Sequence, residues 1–429
     1  MDQVEFPPSL WNATAPKRAL TEALRGTAET DVVVIGAGFT GLSAALHLAR
    51  EGRAVTVLEA KAVGWGASGR NNGQVIPTLT AAEPDALSKR YGEGFARLVG
   101  ESASILFDIV RAENMDAEAE QSGWFQPAHS PGRVRLSRER VKAWQRFGFP
   151  AEFCDQAKTA QLLGSDFWYG GMYNPTGGHI NPLALARAMA AAAERYGAKI
   201  HERSAVTAYV HDGTDWVVTT AHGVVKARAL ILATNAYTGE IVPALAPTLS
   251  RSIIPVLSWQ MATEPLGDNL RQSILPGRQA VSDTSGDLRF FRYDARHRLV
   301  TGGVVMGSWN VAERVRARAA SRMAEAFPDL GVPSMTHVWS GYIGMNRDRF
   351  PRVHRLGPEG WAWIGCNGRG VALGTALGRE MARAVCGEPL ETLQLPVSEP
   401  RPFPAQRLLR RVAPSYLAWL RRKDRVELK

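Results

Sequence analysis

Cysteine is scarce in this sequence, and no long apolar run interrupts it. The three cysteines, Cys154, Cys366 and Cys386, form no CxxC pair and no cluster with histidine, so neither a disulfide framework nor a structural zinc site is expected. The nine histidines lack metal-ligand spacing, and we predict no metal. No run of about 18 apolar residues occurs, which argues against a transmembrane helix, and the first residues do not resemble a secretory signal. We therefore expect a cytoplasmic protein.

Positive charge is in excess, but most of it lies at one end. Residues 401–429 hold nine Lys and Arg and two Asp and Glu, so +7 of the net charge of +10 lies there. A basic groove for nucleic acid over the main body is therefore not expected. In residues 401–429, apolar and basic side chains recur at helical spacing until Pro414 breaks the pattern. This region is predicted either to touch anionic lipid at the inner face of a membrane or to pack on the body.

One glycine-rich turn joins a predicted strand to a predicted helix. Residues 31–60 read DVVVIGAGFTGLSAALHLAREGRAVTVLEA, which is a strand, a turn with Gly36, Gly38 and Gly41, a helix and a second strand ending at Glu59. The glycines allow a tight turn, close approach of a pyrophosphate and close helix–strand packing, and the helix N-terminus attracts phosphate. A carboxylate at Glu59 accepts both ribose hydroxyls and disfavours NADP. The turn predicts binding of NAD or FAD.

Two further glycine-rich stretches distinguish between these dinucleotides. Residues 64–74, GWGASGRNNGQ, follow the second strand, where backbone N–H groups and the Ser68 hydroxyl could bind phosphate and Arg70 could neutralise it. Residues 366–374, CNGRGVALG, open a helix whose N-terminus carries partial positive charge and could face the pyrimidine end of a flavin. Taken singly, each is also compatible with an ordinary loop or turn. NAD would leave both without a ligand, so together they favour FAD.

The order of elements predicts two interleaved lobes. The fold class is α/β: a Rossmann-like FAD-binding domain, with a parallel sheet and a β-meander, is interleaved with an α+β substrate domain built on an antiparallel sheet. We expect a helix over residues 313–327 and another that starts near Pro182 and ends at Gly197. The predicted division is an N-terminal arm (1–30), an FAD-binding domain (31–85, 155–250 and 340–390), a substrate domain (86–154 and 251–339) and a basic C-terminal tail (391–429).

Several motifs in a fixed order carry a family resemblance. They are VVVIGAGFTGLSAALHLAREG, VLEA, GWGASGRNNGQ, GGHINPLALARAMA, ALILATNAY, WSGYIGMNRDRFPRVHRLG and IGCNGRGVALGTALG. With them the chain resembles the FAD-dependent D-amino-acid oxidase superfamily, in the branch of glycine, sarcosine and gamma-glutamylputrescine oxidases and D-amino-acid dehydrogenases. The segment SLWNATAP and the form of residues 64–73 look most like the gamma-glutamylputrescine oxidase group. The resemblance covers about residues 25–390.

The resemblance implies a set of cofactor-binding residues. Those implied for the ADP half are Gly36, Ala37, Gly38, Thr40, Gly41, Glu59 and Ala60, with Val206, Ala233, Thr234 and Asn235. Those implied for the pyrophosphate, the ribityl chain and the flavin are Ala67, Ser68, Gly69, Arg70, Asn72, Gly73 and Gln74, with Gly368, Arg369, Gly370 and Val371 at the far edge of the ring.

The departures from the family pattern concern covalent attachment and the electron acceptor. Relatives with covalent flavin use a cysteine near GYIGMNRDR or a histidine in the early loop, where this chain has Gly344 and Met345, and Asn71 and Asn72. We therefore expect non-covalent FAD, with Cys366 as a packed residue. The lysine that promotes reaction with oxygen in sarcosine oxidases is absent from HRLVTGGVV, so O2 and an electron carrier both remain open as acceptors.

The implied activity is oxidation of a small primary or secondary amine or amino acid. Hydride would pass from the carbon beside the nitrogen to flavin N5, and the imine would hydrolyse. Candidate pocket residues are Trp65, Trp259, Phe291, Arg292, Trp309, Tyr342, Arg347 and Arg349, the arginines as carboxylate clamps. Each of these side chains could equally be core or surface. Two other classes stay open: an RNA-modifying flavoprotein, and a non-catalytic flavin subunit of an amine-oxidising complex.

Overall fold

Two eight-stranded sheets form the framework of the protein. The computed structural model describes residues 4–80, 82–304 and 309–427. The first sheet contains β1 (Gly26–Ile35), β2 (Val55–Leu58), β8 (Lys199–His201), β9 (Val206–His211), β10 (Trp216–Thr220), β11 (Gly223–Leu232), β17 (Arg352–Gly357) and β18 (Gly360–Ile364). The second contains β4 (Trp124–Pro127), β5 (Glu152–Cys154), β6 (Gly171–Asn174), β12 (Ile254–Pro265), β13 (Ala280–Ser282), β14 (Phe290–Tyr293), β15 (Arg298–Gly303) and β16 (Met335–Met345). A short ladder joins β3 (Gln74–Val75) to β7 (Gly178–His179).

Thirteen helices are found in the described part of the chain. They are α1 (Leu10–Thr14), α2 (Phe39–Arg50), α3 (Pro84–Tyr91), α4 (Glu93–Ala112), α5 (Pro131–Arg146), α6 (Gln156–Leu163), α7 (Pro182–Arg195), α8 (Thr238–Ile241), α9 (Pro247–Ser250), α10 (Asp268–Ser273), α11 (Val311–Ala326), α12 (Ala372–Val385) and α13 (Gln406–Glu427). No helix in these ranges is both long and apolar enough to cross a bilayer.

The first sheet is parallel at its centre, as the sequence predicts. Its order is β17-β18-β11-β1-β2-β8, and β1 runs parallel to both β2 and β11. The end of β1, from Val32 to Ile35, is buried on both faces, which explains its unbroken apolar run. Strands β9 and β10 form the predicted meander on β11. Helices α2, α7 and α12 contribute to the core on one side of this sheet. The Rossmann-like α/β fold class is confirmed.

The second sheet is antiparallel except for one pair. Its order is β16-β12-β15-β14-β13-β4-β6-β5, and only β4 and β13 run parallel to each other. Helix α11, close to the predicted 313–327, packs in a separate core with this sheet. The sheet therefore has its own hydrophobic core, which fits a substrate domain interleaved with the first lobe.

The strand pairing does not follow the proposed domain boundaries. Residues 171–174 fall inside the segment 155–250 assigned to the FAD-binding domain, yet β6 pairs with β4 and β5 in the second sheet. The boundary between residues 339 and 340 cuts through β16, and β1 starts within the predicted arm 1–30. The pairing favours a division in which β6 and all of β16 belong to the substrate domain. The division into domains stays a proposal.

The basic C-terminal region forms a single long helix, which corrects the expected break at Pro414. Helix α13 runs without interruption from Gln406 to Glu427. A proline removes one backbone hydrogen bond from a helix interior, whereas this helix is fastened to the body at both ends. Gln406 donates to the carbonyl of Ile253 at 2.6 Å, and the Asp424 carboxylate accepts the N–H of Asp287 at 2.9 Å.

Candidate active site

A cavity of about 1260 Å³ extends from the first sheet to the second. At one end it begins at the carboxyl ends of β1 and β2, where the glycine turn and Glu59 lie. At the other end it reaches the inner face of β12, the end of β16 and one face of α13. Open α/β sheets bind ligands at the carboxyl ends of their strands. This cavity therefore places a predicted dinucleotide site and a second compartment in one continuous space.

The glycine turn leaves no room for side chains. Gly36 has φ +103°, a conformation that favours glycine. A Cβ on Gly38 would lie 2.8 Å from the Ser68 Oγ, and a Cβ on Gly41 would lie 2.0 Å from the Gly36 carbonyl oxygen. Gly38 faces the cavity, whereas Gly41 packs α2 against the turn behind it. The three glycines thus occupy the positions that a bound pyrophosphate requires.

Glu59 stands at the end of β2 beside this turn. Its Oε2 accepts the Ala37 N–H at 2.8 Å, and its Oε1 accepts the Lys61 N–H at 2.9 Å. Burial raises the pKa of Glu59, while the two backbone donors act in the opposite direction. Because the fixed carboxylate also lines the cavity, it can accept ribose hydroxyls. The glycine turn and Glu59 therefore fit the ADP half of FAD.

The early loop connects the glycine turn to the second sheet. The Ser68 Oγ accepts the Phe39 N–H at 3.0 Å at the start of α2. At the other end of the loop, Gln74 donates to the Val281 carbonyl at 2.9 Å and accepts from the Ser282 hydroxyl at 2.6 Å. The Oδ1 of Asn72 is buried and has no hydrogen-bond partner among the described residues. A polar atom buried in a cavity wall usually has a partner, which a bound cofactor could supply.

Arg70 lies in an aromatic cluster on the cavity wall. Its guanidinium lies 4.6 Å from the ring centre of Trp65 and 5.3 Å from that of Tyr237, and it donates to the Tyr237 hydroxyl at 2.6 Å. The Tyr237 ring also packs edge-on against Tyr342, with 5.6 Å between centres. Burial lowers the pKa of Arg70. Within the described ranges no carboxylate pairs with it, so its charge is available to an anion in the cavity.

A buried arginine stands at the far turn. Arg369 is 8% exposed and borders the cavity just before α12. The only hydrogen bond of its side chain in the described structure reaches the Gly368 carbonyl at 3.3 Å, and its Nε has none. Burial lowers the pKa of Arg369 to about 10. Unpaired buried cations are costly, and the adjacent helix N-terminus also attracts negative charge. An anionic group at this turn, such as the edge of a reduced flavin, would compensate this charge.

Most predicted cofactor residues line this one cavity. They are Gly36, Ala37, Gly38, Thr40, Glu59, Ala60, Ala67, Ser68, Arg70, Asn72, Gly73, Gln74, Val206, Ala233, Thr234, Asn235, Gly368, Arg369, Gly370 and Val371. Gly41 and Gly69 lie behind the wall; a Cβ on Gly69 would come within 2.2 Å of the Gly64 carbonyl oxygen. Cys366 also borders the cavity, with its Sγ 4.0 Å from the Gly344 carbonyl oxygen. Their roles toward FAD stay predictions.

Four of the eight predicted pocket residues line the cavity, and four do not. Trp65, Tyr342, Arg347 and Arg349 border it. Trp259 and Phe291 belong instead to the core behind the second sheet. Successive side chains of a strand point to opposite faces, so Ser258, Gln260 and Phe290 face the cavity in their place. The predicted residue in each of these two strands is therefore next to a residue whose side chain does line the cavity.

Arg292 and Trp309 are corrected for different reasons. Arg292 is 1% exposed, and its guanidinium donates to the carbonyls of Asn72, Ile180 and Tyr293. It holds three backbone segments together and cannot act as a clamp for a substrate carboxylate. Trp309 lies before α11 and is 77% exposed, away from the cavity lining. The large aromatic side chain of Trp309 is therefore exposed, although its size suggested a place in the pocket.

Several lining residues were missed by the sequence analysis. They are Tyr237, Gln260, Phe290, Leu409, Arg410 and Leu420. Tyr237 ends the motif ALILATNAY, and the alternation within FFRY could have identified Phe290. The three α13 residues had no local signal, because the sequence does not say where a C-terminal helix docks. No group of three or more His, Cys, Asp or Glu side chains that could hold a metal occurs in the described ranges.

Comparison with known proteins assigns these features to a family. Residues 31–384 match the family model described as FAD dependent oxidoreductase. The gamma-glutamylputrescine oxidoreductase of Escherichia coli is 33% identical over 412 residues, which cover 95% of this chain and 95% of that protein. A probable oxidoreductase OrdL of Haemophilus influenzae is 33% identical over 363 residues, 83% of each chain.

Solved structures of low sequence identity share the fold. The L-proline dehydrogenase of P. horikoshii has a TM-score of 0.71 and 19% identity, and the match covers 84% of this chain and 94% of that one. The glycine oxidase of Bacillus cereus has a TM-score of 0.68 and 19% identity, with coverage of 85% and 98%. These structures establish the architecture in which the cavity lies.

Proposed function

This chain belongs to the family of FAD-dependent oxidoreductases, and from that premise we propose that it oxidises a small primary or secondary amine or amino acid at the carbon beside the nitrogen. The single observation that carries the proposal is the continuous cavity of about 1260 Å³. It joins a dinucleotide cradle to a second compartment walled by another sheet. A substrate in that compartment would lie in the same space as the cofactor, which hydride transfer requires.

The residues at the cradle fit FAD. Gly36 and Gly38 leave space for the pyrophosphate, Glu59 accepts the ribose hydroxyls, and Arg369 provides positive charge near the flavin end. When bound, FAD supplies the hydride acceptor. We propose that it is held without a covalent bond, since Asn71, Asn72, Gly344 and Met345 occupy the positions at which relatives attach it.

The second compartment suits an amine with an apolar chain. Leu257, Phe290 and Tyr342 offer apolar contact along it, while Ser258 and Gln260 offer hydrogen-bond partners. These side chains would orient the amine and exclude water around the reacting carbon. The product would be an imine, which hydrolyses to a carbonyl compound and the released amine or ammonia.

The preferred candidate is an alkylamine with a γ-glutamyl head group. Support comes from the likeness to the gamma-glutamylputrescine oxidoreductase over 95% of both chains. Arg347 and Arg349 also border the cavity, and guanidinium groups pair well with carboxylates. The proposed electron acceptor is O2 or an electron carrier, and the proposed location is the cytoplasm.

Anaerobic mixing of the FAD-loaded protein with an amine panel tests the proposal. We expect γ-glutamylputrescine to bleach the flavin absorbance faster than putrescine, glycine, sarcosine or proline does. The rate at which the colour returns in air separates O2 from a carrier as the acceptor. If no amine or amino acid bleaches the flavin while dithionite does, the proposed reaction is wrong. A protein pellet that stays yellow after acid precipitation would contradict non-covalent binding.

A further inference from the structure

The segment SLWNATAP, residues 9–16, has no part in the proposed reaction, because none of its residues lines the cavity. It forms the short helix α1, which starts after Ser9, whose hydroxyl oxygen accepts the Asn12 N–H at 3.1 Å. Within it, Trp11 is 0% exposed. The N-terminal arm therefore buries its largest side chain completely inside the body, and the contacts of this side chain show what it does there.

Three consecutive carbonyl groups of the early loop are held by buried side chains. Each accepts one hydrogen bond: Arg70 from the Trp339 Nε1 at 2.9 Å, Asn71 from the Trp11 Nε1 at 2.8 Å, and Asn72 from the Arg292 Nε at 2.7 Å. The three loop residues line the cavity, whereas the three donors do not. The donors come from β16, α1 and β14, so that segments far apart in sequence hold the loop from the side away from the cavity.

Trp11 contacts both of the other donors. The Arg292 guanidinium lies 4.5 Å from the centre of the Trp11 ring. On another side, the Trp11 ring packs edge-on against Trp339, with 5.6 Å between ring centres. The arm is also tied to the start of α7, where the Asn181 Nδ2 donates to the Thr14 Oγ1 at 3.1 Å. Trp11 thus completes a packed group of three donors, and its position is fixed by the body of the protein.

The hydrogen bond from Trp11 sets the direction of one peptide N–H group. In a trans peptide the C=O and the following N–H point to opposite sides. On the two neighbouring peptides, the Asn71 N–H donates to the Ala67 carbonyl at 3.1 Å, and the Gly73 N–H donates to the Asn71 Oδ1 at 2.7 Å. The Asn72 N–H, opposite the carbonyl that Trp11 holds, has no acceptor among the described residues. The peptide held by Trp11 therefore keeps a donor for a ligand in the cavity.

We propose that Trp11 is a positioning residue for the cofactor. By holding the Asn71 carbonyl away from the cavity, it directs the Asn72 N–H toward bound FAD. A donor that is fixed before binding costs less ordering when the ligand arrives, so the clamp would strengthen cofactor retention. The N-terminal arm then belongs to the cofactor site without contacting the cofactor. The inference rests on the FAD cradle proposed above and is independent of which amine is oxidised.

Titration of the FAD-free full chain with FAD tests the positioning role. Trp11→Phe keeps an aromatic ring in the core and removes the indole N–H that holds the Asn71 carbonyl. We expect the Kd for FAD to rise about tenfold, the effect of one lost hydrogen bond. In the unmodified protein, FAD should also slow the amide hydrogen exchange of Asn72, and this protection should be weaker in Trp11→Phe. Neither readout needs an amine substrate, so failure of the proposed reaction leaves the test intact.

A matched control removes an equivalent hydrogen bond outside the cavity. Trp216 is 3% exposed, its Nε1 donates to the Pro358 carbonyl at 2.8 Å, and it does not line the cavity. Trp216→Phe and Trp11→Phe should lower the melting temperature of the FAD-free protein to a similar extent, yet only Trp11→Phe should weaken FAD binding. An unchanged Kd in Trp11→Phe, or an equal rise in both variants, would overturn the inference. So would amide exchange of Asn72 that FAD does not slow in the unmodified protein.

Discussion

The two ends of the cavity are built in different ways. At the dinucleotide end, Gly36, Gly38, Gly41 and Glu59 come from one stretch of 24 residues. At the substrate end, the lining residues come from β12, β14, β16 and α13, which are far apart in sequence. The first end follows from local geometry that a short motif encodes. The second exists only once the sheet and the C-terminal helix are assembled.

The two ends also differ in the sign of the charged side chains that border the cavity. The dinucleotide end presents a carboxylate, Glu59, held by backbone N–H groups. Farther along the cavity, Arg70 is half-buried and Arg369 is buried, and neither has a carboxylate partner in the described part of the chain. We propose that each of these charges meets a different portion of bound FAD, so that the FAD-free cavity would leave them without a partner. The following substitutions test this contrast.

The largest effect is expected at Gly41. A side chain there would collide with the Gly36 carbonyl, since even a Cβ lies 2.0 Å from it. Gly41→Val should abolish FAD retention and lower the free energy of unfolding by about 1–3 kcal/mol, read by flavin absorbance and thermal melting. Gly132→Ala is the control, because a Cβ there meets nothing within 4 Å. Full FAD occupancy in Gly41→Val would contradict the role of the turn.

A smaller effect is expected when the buried cation at the far turn is removed. Arg369→Met should raise the melting temperature of the FAD-free protein, because an unpaired buried charge is lost. It should also lower the reduction potential of bound FAD by about 30 mV, equivalent to about 1.4 kcal/mol for two electrons. Arg347→Met, at an exposed arginine on the cavity rim, should leave the potential unchanged. An unchanged potential in Arg369→Met would show that this guanidinium does not act on the flavin.

At the other end of the cavity, Glu59→Gln should have two opposite consequences. Burial raises the pKa of Glu59 above its ordinary value, so the unfolded state loses this proton first as the pH rises. The FAD-free protein therefore loses stability between the ordinary Glu pKa of about 4.3 and the raised value. Glu59→Gln should remove that loss. The FAD-free variant should therefore be more stable than the unmodified FAD-free protein at pH 7, and this difference in stability should disappear below pH 4. FAD should bind about tenfold more weakly by titration.

The smallest effects are expected at the substrate end. Phe290→Ala should raise the KM for the amine several-fold and leave FAD affinity unchanged, because Phe290 lines the cavity on the second sheet. Trp309→Ala should change neither quantity, since its side chain is 77% exposed outside the lining. Steady-state kinetics and FAD titration check both variants. Loss of FAD affinity in Phe290→Ala would show that the two ends are not separable.

Nearly all residues predicted for the dinucleotide end line the cavity, whereas only four of the eight predicted pocket residues do. The predicted motif residues from 36 to 74, apart from Gly41 and Gly69 behind the wall, line one cavity because neighbours in sequence are neighbours in a βαβ unit. Trp259 and Phe291 were each placed on the wrong face of a strand. In β12 the core residues Trp259 and Met261 alternate with the polar Ser258 and Gln260, so the alternation, and not aromatic character, indicates the face that lines the cavity.

Residue type and sequence position also led to two wrong predictions about features that depend on long-range contacts. Arg292 resembled a clamp, yet tertiary packing buries its guanidinium among three backbone carbonyls. The C-terminal region was predicted to break at Pro414, yet α13 is continuous because Arg410, Arg421 and Asp424 fasten it on both sides of that residue. Asn72 and Ile180 are far from Arg292 in sequence, and the partners that fasten α13 are far from Pro414.

By itself, the sequence determined the fold class, the family resemblance and the cradle for FAD, because each depends on backbone conformations and spacings within short segments. Only the tertiary structure decided which faces of β12 and β14 line the cavity and that α13 closes one side of it. It also decided that Arg369 is buried and Arg70 half-buried, both without carboxylate partners among the described residues. These features depend on contacts between segments that are far apart in sequence. Those contacts determine which side chains are buried and which charged groups are paired.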